Sequence, residues 1–323
     1  MTDLIAAFAA LPRPSQAGAY SVARARSNCR VGRTFDGFPA VLVELSTDNG
    51  MKLPRRLANF AYQPPAAVQI RSDSELQSAQ LAIVECCTHD RRLASYFFRI
   101  VAEVLMPEAE AGDEARFEAA VDAVVTLFKA LQRPAAHTVQ GLWSELAIIA
   151  FSSNAHVALS SWHSSSRALH DFANGGARLE VKSTTKGLRE HVFLLDQLRL
   201  GERGHVLIAS MLLTESSAGH SVFDLAHVIR ERLTHPLARN RLEAIIADSL
   251  GNGFEAVEEH LYDLDGARES LLLYRAEDVP ICLLPLPAQV KDVSFTVDLS
   301  TTIPLSLDDS RKLSPQFCDL LPT

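Results

Sequence analysis

Two carboxylates and a lysine flank a tight turn in the second half of the sequence. Asp171 precedes the turn sequence Asn-Gly-Gly at 174–176, and Glu180 and Lys182 follow it. Strand-like runs on both sides of this turn predict a β-hairpin. Because side chains alternate along a strand, Glu180 and Lys182 are expected on the same face of the second strand.

The register of this hairpin depends on which residues form its turn. With residues 174–175 at the turn, Asp171 faces Arg178 and lies diagonal to Glu180. With residues 175–176 at the turn, Asp171 faces Glu180 directly. Both registers place the two carboxylates on one face, whereas a three-residue loop would place them on opposite faces. Facing carboxylates repel one another unless a cation lies between them.

This donor set predicts a site for Mg²⁺ or Mn²⁺, which prefer carboxylate, carbonyl and water oxygens. We expect Asp171 and Glu180 to be ligands, with the backbone carbonyl of Val181 as a third. Lys182 would orient the attacking water and stabilise negative charge that develops on a phosphate. Glu145, on a preceding amphipathic helix, would turn a further acceptor toward the same metal. The alternative is a solvated strand face with ordinary cross-strand pairs.

Other common catalytic motifs are absent from the sequence. It contains no GxxxxGK[ST] loop, no GxSxG, no HExxH and no GxGxxG. The five cysteines have no CxxC spacing, which indicates neither a disulfide framework nor a zinc site. We expect reduced and mostly buried cysteines.

The hairpin is expected within a run of alternating helices and strands. The predicted elements are a helix at 139–151, strands at 155–160, 167–172, 177–184 and 191–195, a short helix at 196–200 and a strand at 205–213. The residues before this run are β-rich up to about position 85. Helices at 90–106 and 114–131 follow, separated by an acidic loop at 108–114. Two helices at 222–233 and 237–250 come after the run.

These elements predict an α/β (α+β) protein with three parts. They are an N-terminal β-rich module with a helix at 1–110, a helical connector at 111–137, and an α/β domain with a C-terminal helical and strand extension at 138–323. Hydrophobic residues make up 47% of the 323 residues and charged residues 22%, which excludes a mainly disordered chain. No apolar run approaches the roughly 20 residues of a membrane span. Asp3 stands where a signal peptide would carry Lys or Arg, so we expect a short amphipathic helix at the start instead. We therefore expect a cytoplasmic protein without a membrane partner.

The fuller pattern of residues 140–200 resembles the PD-(D/E)xK nuclease superfamily, in particular a bacterial motif family often encoded near restriction-modification or phage-defence genes. The resemblance rests on Gly141-Leu-Trp-Ser-Glu-Leu146, Trp162-His163, Asp171-Phe172, Glu180-Val-Lys-Ser-Thr184 and Asp196-Gln-Leu198. It departs from the signature at His170, where the superfamily name implies proline. The resemblance implies a restriction-endonuclease-like core of helix, three-stranded meander, helix and strand.

The resemblance also implies residue roles and a function. Asp171, Glu180 and Lys182 would be the catalytic set, Glu145 the helix acid, and Gln197 a polar residue that reaches the site from the next helix. The function implied is a Mg²⁺-dependent DNA endonuclease, part of a restriction or anti-phage system with protein partners from that system. A homodimer is left open.

Two rival interpretations remain at this point. One is a non-catalytic DNA-binding or scaffolding subunit of a defence complex, and the other is an unrelated α/β protein with a fortuitous motif. The net charge of −8 opposes tight, autonomous binding to DNA, because neutralising phosphates supplies much of such affinity. It therefore favours a dependence on metal ions or partners.

Overall fold

Contacts between residues divide the chain into two compact units, Met1–Gln132 and Arg133–Thr323. Helices and sheets occur in both units, which confirms the α+β class. The finer three-part division at 1–110, 111–137 and 138–323 stays a prediction. The computed structural model describes residues 4–45, 53–72, 75–135, 137–162, 168–198, 204–281, 289–290 and 292–321.

The first unit is built around a sheet that closes on itself, with one short strand left at its edge. The strands are β1 (Ala19–Arg24), β2 (Cys29–Arg33), β3 (Pro39–Val43), β4 (Arg55–Arg56), β5 (Ala61–Ser72) and β6 (Glu75–Glu85). They pair in the order β1-β2-β3-β6-β5-β4, and β1 also pairs in parallel with β5. Alternate strand residues pack a buried cluster that includes Tyr20, Leu42, Ile70 and Ile83.

The helices of the first unit correct one expectation. They are α1 (Leu4–Ala10), α2 (Arg91–Ile100), α3 (Met106–Ala111) and α4 (Glu114–Ala130), with a π-helical turn over Val101–Leu105. The loop predicted at 108–114 is wrong, because most of it belongs to α3. Pro107 lies in the first turn of α3, where a helix requires no N–H donor. Gly112 then ends α3, and Asp113 caps α4 through the N–H groups of Ala115 and Arg116.

The second unit contains a four-stranded sheet in the order β12-β10-β8-β7 and a separate pair, β13-β9. Its strands are β7 (Phe172–Asn174), β8 (Ala177–Thr184), β9 (Glu190–Leu194), β10 (His205–Leu212), β11 (Glu215–His220), β12 (Leu272–Arg275) and β13 (Ser294–Asp298). Strands β8 and β10 are parallel, whereas β7 and β8 form an antiparallel hairpin. The strand predicted at 177–184 is confirmed.

Helices surround these strands. They are α5 (Val139–Phe151), α6 (Ala155–Ser161), α7 (Leu195–Leu198), α8 (Val222–Glu231), α9 (Pro236–Leu250), α10 (Leu264–Ser270) and α11 (Leu307–Leu313). The predicted helix at 139–151 is confirmed, and Thr138 caps it by accepting from the Gly141 N–H at 3.0 Å. Every residue from Leu142 to Ile149 is buried, so α5 is enclosed on all sides rather than amphipathic.

The strand predicted at 155–160 is wrong, since these residues form helix α6. Asn154 caps this helix by accepting from the N–H groups of His156 and Val157. A short apolar run has no period long enough to separate a helix from a strand, so the Asn cap was the better signal. A single antiparallel bridge between Trp162 and Phe172 lies where the first strand of a meander was expected.

The strand predicted at 167–172 is also misplaced. The observed strand β7 begins at Phe172, and residues 163–167, which include His163 and Arg167, lie outside the described part of the chain. The specific restriction-endonuclease core is therefore not established by these elements alone. Within the residues that the structure describes, no helix combines the length and apolar character needed to cross a membrane.

Candidate active site

The turn of the β7–β8 hairpin selects between the two predicted registers. Phe172 pairs with Leu179 and Asn174 with Ala177, so residues 175–176 form the turn. Gly175 has a φ of 57°, which glycine adopts without the strain that a Cβ would cause. Continuing this register by one residue puts Asp171 opposite Glu180. The register in which the two carboxylates face one another is therefore the observed one.

Asp171 ends the backbone ladder of the hairpin with its own side chain. The N–H of Val181 donates to Asp171 Oδ2 at 2.7 Å, in place of a backbone carbonyl from β7. The N–H and C=O of one strand residue point toward the same neighbouring strand. The carbonyl of Val181 therefore faces the side of β8 on which Asp171 lies.

The carboxylate of Glu180 is buried, and its two oxygens differ. One has two partners, and the other has none among the described residues. Its Oε1 lies 2.7 Å from Lys182 Nζ and accepts from Gln197 Nε2 at 2.6 Å. Its Oε2 has no hydrogen-bond partner among the described residues, although it is shielded from solvent. A buried carboxylate oxygen without a donor or a cation is costly. This oxygen is the clearest sign that the site accommodates a ligand.

Gln197, on α7, holds the Glu180 side of the site in a fixed orientation. Its Oε1 accepts from the Leu194 N–H at 3.0 Å, which leaves its Nε2 to donate to Glu180. Lys182 Nζ lies 3.4 Å from the same Oε1. The ring of His170 contacts the backbone carbonyl of Gln197 at 3.0 Å. The position before Asp171, proline in the signature, thus carries a side chain that contacts the backbone of α7.

Lys182 lies between Glu180 and an aromatic ring. Its Nζ is 5.2 Å from the centre of the Phe193 ring, in the range of a cation–π contact. Phe193 is fully buried on β9, so this ring is a rigid support for the ammonium group. The contact restricts the lysine to the neighbourhood of the carboxylates.

Glu145 reaches the same region from α5, and two side chains bind its carboxylate. Trp162 Nε1 donates to Oε2 at 2.6 Å, and His137 Nδ1 lies 3.2 Å from Oε1. The sequence pattern did not single out His137. No spacing signal points to His137, because it lies outside α5 and reaches Glu145 only through the tertiary fold.

The carboxylates of the site influence one another's protonation. Burial is the main cause that raises the pKa of Asp171 well above its usual range, and the nearby charges of Glu145 and Glu180 add to it. Burial also raises the pKa of Glu180, while Lys182 opposes that shift. A cation between these carboxylates would favour their charged forms.

Two arginines near the hairpin, Arg178 and Arg189, bind other parts of the protein rather than the carboxylates of the site. Arg178 donates to the carbonyls of Gly175 and Ala177, so its charge lies at the turn. Arg189 is buried and donates to Ser210 Oγ at 2.9 Å, which makes it part of the interior. Both guanidinium groups are therefore engaged with the protein itself.

The donor set fits a hard divalent cation held mainly by two carboxylates. The described part of the chain contains no group of three His, Cys, Asp or Glu side chains arranged to hold a metal. Asp171, the unpartnered oxygen of Glu180 and the Val181 carbonyl nevertheless provide oxygen donors at one place. Mg²⁺ and Mn²⁺ usually retain several waters and require only one or two protein carboxylates. The residues present therefore fit this type of ion.

Comparison with known proteins places these residues in a wider family. The family DUF4420, described as "Putative PD-(D/E)XK family member", matches residues 4–300. No curated protein and no solved structure matches the chain. The family match spans both compact units and includes every candidate residue of the site.

Proposed function

The chain belongs to the DUF4420 family, which is assigned to the PD-(D/E)XK proteins, and we propose that it is a metal-dependent endonuclease that hydrolyses phosphodiester bonds in DNA. The proposal includes a restriction-endonuclease-like core formed by α5, the β7–β8 hairpin, α7 and β10. It also includes a role in a bacterial restriction or anti-phage system, which rests on the resemblance of residues 140–200 to defence-associated motif proteins.

The observation that carries the proposal is the buried, unpartnered Oε2 of Glu180 opposite Asp171. Most buried side-chain oxygens in proteins have a hydrogen-bond partner. Here Lys182 and Gln197 both bind Oε1, and Oε2 is left for another group. A hard cation satisfies that oxygen and relieves the repulsion between the two facing carboxylates.

The residues of the chain can be given distinct tasks. Asp171, Glu180 and the Val181 carbonyl would hold Mg²⁺ or Mn²⁺, with Glu145 as a further acceptor. The ion would supply charge stabilisation and an activated water. Lys182 would place a positive charge beside the scissile phosphate, where negative charge grows during attack. Gln197 would keep the side chains of Glu180 and Lys182 in their positions beside the metal.

A cleavage assay with matched variants tests the proposal. Supercoiled and linear DNA are incubated with the protein in Mg²⁺, in Mn²⁺ or in a chelator. We expect cleavage with the metals, and a loss of at least a hundredfold for Asp171→Asn and Glu180→Gln. Asp265→Asn, on the separate helix α10, provides a matched control and should cleave like the wild type. Equal cleavage by all variants would refute the assignment.

The same assay separates the rival function. A protein that binds Mn²⁺ and DNA but never cleaves, with or without candidate partners, would be a binding or scaffolding subunit instead. Phage plating on cells that express the wild type or Asp171→Asn tests the defence role. We expect reduced plating only with the wild type.

A further inference from the structure

Glu145 is held by donors that come from two different parts of the second unit. His137 precedes α5 and contacts Oε1 at 3.2 Å, whereas Trp162 follows α6 and donates to Oε2 at 2.6 Å. Because each donor binds a different oxygen, the carboxylate cannot rotate about its last bond without losing one of them. The orientation of this buried acid is therefore set from both sides.

Both donors are themselves fixed by the fold. The backbone N–H of His137 donates to the Ser249 carbonyl at 3.1 Å, near the end of α9. Trp162 is almost fully buried and forms a backbone bridge with Phe172, the residue that follows Asp171. Trp162 thus connects Glu145 on α5 to the strand that carries the first carboxylate of the hairpin.

We propose that His137 and Trp162 are positioning residues that aim the Glu145 carboxylate at the cation between Asp171 and Glu180. This inference rests on the proposed function. It gives a role to Trp162, which the family pattern contains without an assigned role, and to His137, which lies outside that pattern. Neither residue touches the reacting atoms, since each acts through Glu145. Hydrogen-bond partners of this kind typically contribute 10- to 100-fold to metal affinity or activity.

A structural role alone would predict a different pattern of effects. If the two donors only stabilised the fold, their removal would lower the unfolding midpoint and leave metal affinity unchanged in the folded fraction. Positioning predicts weaker metal binding in protein that remains folded. It also predicts a fall in kcat with little change in KM for DNA, because Glu145 acts at the metal rather than along the DNA.

Calorimetric titration with Mn²⁺ tests His137. We expect His137→Ala to weaken binding about tenfold. His137→Asn should restore most of the affinity, because its amide N–H lies near the position of Nδ1 and can still donate to Glu145. His137→Leu, which fills space without a donor, should behave like the alanine variant. The exposed His227→Ala on α8 is the matched control and should bind like the wild type.

The indole signals of the two tryptophans test the arrangement without any metal. In NMR spectra of the metal-free protein, the Trp162 N–H should resonate downfield because it donates to a carboxylate. Glu145→Gln and His137→Ala should both move this signal. The Trp143 N–H, which donates to the His220 carbonyl at 2.7 Å, should stay in place and serves as an internal reference. If the chemical shift of the Trp162 N–H is the same in both variants as in the wild type, the inference is overturned.

The outcomes distinguish this inference from the proposed function. If Asp171→Asn loses Mn²⁺ while His137→Ala and Trp162→Phe bind it like the wild type, positioning is overturned and the metal site stands. If Asp171→Asn binds Mn²⁺ like the wild type, the proposed function fails and the positioning role fails with it. Weakened binding in His137→Ala, with rescue by asparagine, supports the inference.

Discussion

The ammonium of Lys182 lies 2.7 Å from Oε1 of Glu180, although both side chains leave the same strand two residues apart. Same-face neighbours on a strand do not usually bond, but the long lysine side chain can bend back toward its neighbour. Gln197 donates to the same oxygen, so two donors share it. This arrangement leaves the other oxygen of Glu180 buried and without a partner among the described residues, and it places a positive charge beside the carboxylate.

Lys182→Ala should separate catalysis from metal binding. The protein should stay folded and bind Mn²⁺ as tightly as the wild type or more tightly, because a cation that competes for Glu180 is gone. Cleavage should fall on the order of a hundredfold or more, the scale expected for a lost charge-stabilising group. Calorimetry and a cleavage assay measure the two effects. The exposed Lys186→Ala is the matched control, and wild-type cleavage by Lys182→Ala would assign the activity elsewhere.

Gln197→Leu should weaken the site without removing a ligand. The leucine cannot donate to Glu180, so Glu180 loses one of its two donors and gains orientational freedom. We expect about tenfold weaker Mn²⁺ binding and a comparable loss of cleavage. Gln197→Glu should be more damaging, because it adds a further negative charge beside the carboxylates. If both variants retain wild-type affinity, Gln197 serves only to cap the turn before α7.

Asp171 should make the stability of the metal-free protein depend on pH. Burial and the nearby carboxylates raise its pKa in the folded state. Its contribution to folding is therefore fully present below the unfolded pKa and is lost as pH rises through the folded pKa. At neutral pH in a chelator, Asp171→Asn should be more stable than the wild type, by on the order of 1 kcal/mol. The Val181 N–H still finds an acceptor in the asparagine.

Urea unfolding at a series of pH values measures this difference. The gain in the free energy of unfolding should shrink as pH falls toward 3.8, the ordinary value for Asp. With saturating Mn²⁺ the wild type should become the more stable of the two proteins, because only its folded state gains binding energy from the metal. A variant less stable than the wild type at every pH would contradict the prediction.

His191 should produce the opposite pH dependence. It is almost fully buried, and its Nε2 contacts Ser210 Oγ at 2.7 Å. Burial, with the nearby charges of Lys182 and Arg189, lowers its pKa to about 4. A depressed pKa contributes stability above the unfolded value of 6.5 that is lost as pH falls through the folded value of about 4.

Replacing His191 isolates this contribution. His191→Gln keeps an acceptor for Ser210 but cannot titrate. Its free energy of unfolding should fall less steeply with acid than that of the wild type, with a difference on the order of 3 kcal/mol across the window. Urea unfolding between the two pKa values gives the measurement. If the free energy of unfolding falls equally with acid in both proteins, protonation of His191 costs no stability and the prediction is wrong.

The isolated protein should bind DNA weakly and with strong salt dependence. Its net charge of −8 opposes approach to a polyanion, and two of the arginines beside the hairpin are engaged with the protein itself. Without metal we expect dissociation constants of about 10⁻⁶ M or weaker at physiological salt. A gel-shift titration at several salt concentrations measures both quantities. Tight binding with a dissociation constant that does not change with salt concentration would contradict this expectation.

Local sequence patterns predicted the hairpin and the residue types that it carries. The strand Ala177–Thr184 and the helix Val139–Phe151 have the predicted bounds. The shared face of Asp171 and Glu180 follows from the two-residue period of a strand and a two-residue turn, whereas the choice between the facing and the diagonal register came from the structure. These features depend on residues only a few positions apart, which is the range over which periodicity and turn preference act.

The tertiary structure alone decided what surrounds those residues. Arg189 resembles a surface charge in the sequence, yet Ser210 on β10 binds it in the interior. His137 reaches Glu145 because the end of α9 holds its backbone, and β9 pairs with β13 from far along the chain. No local pattern encodes such contacts, because they depend on how distant elements pack and which buried polar groups remain to be satisfied.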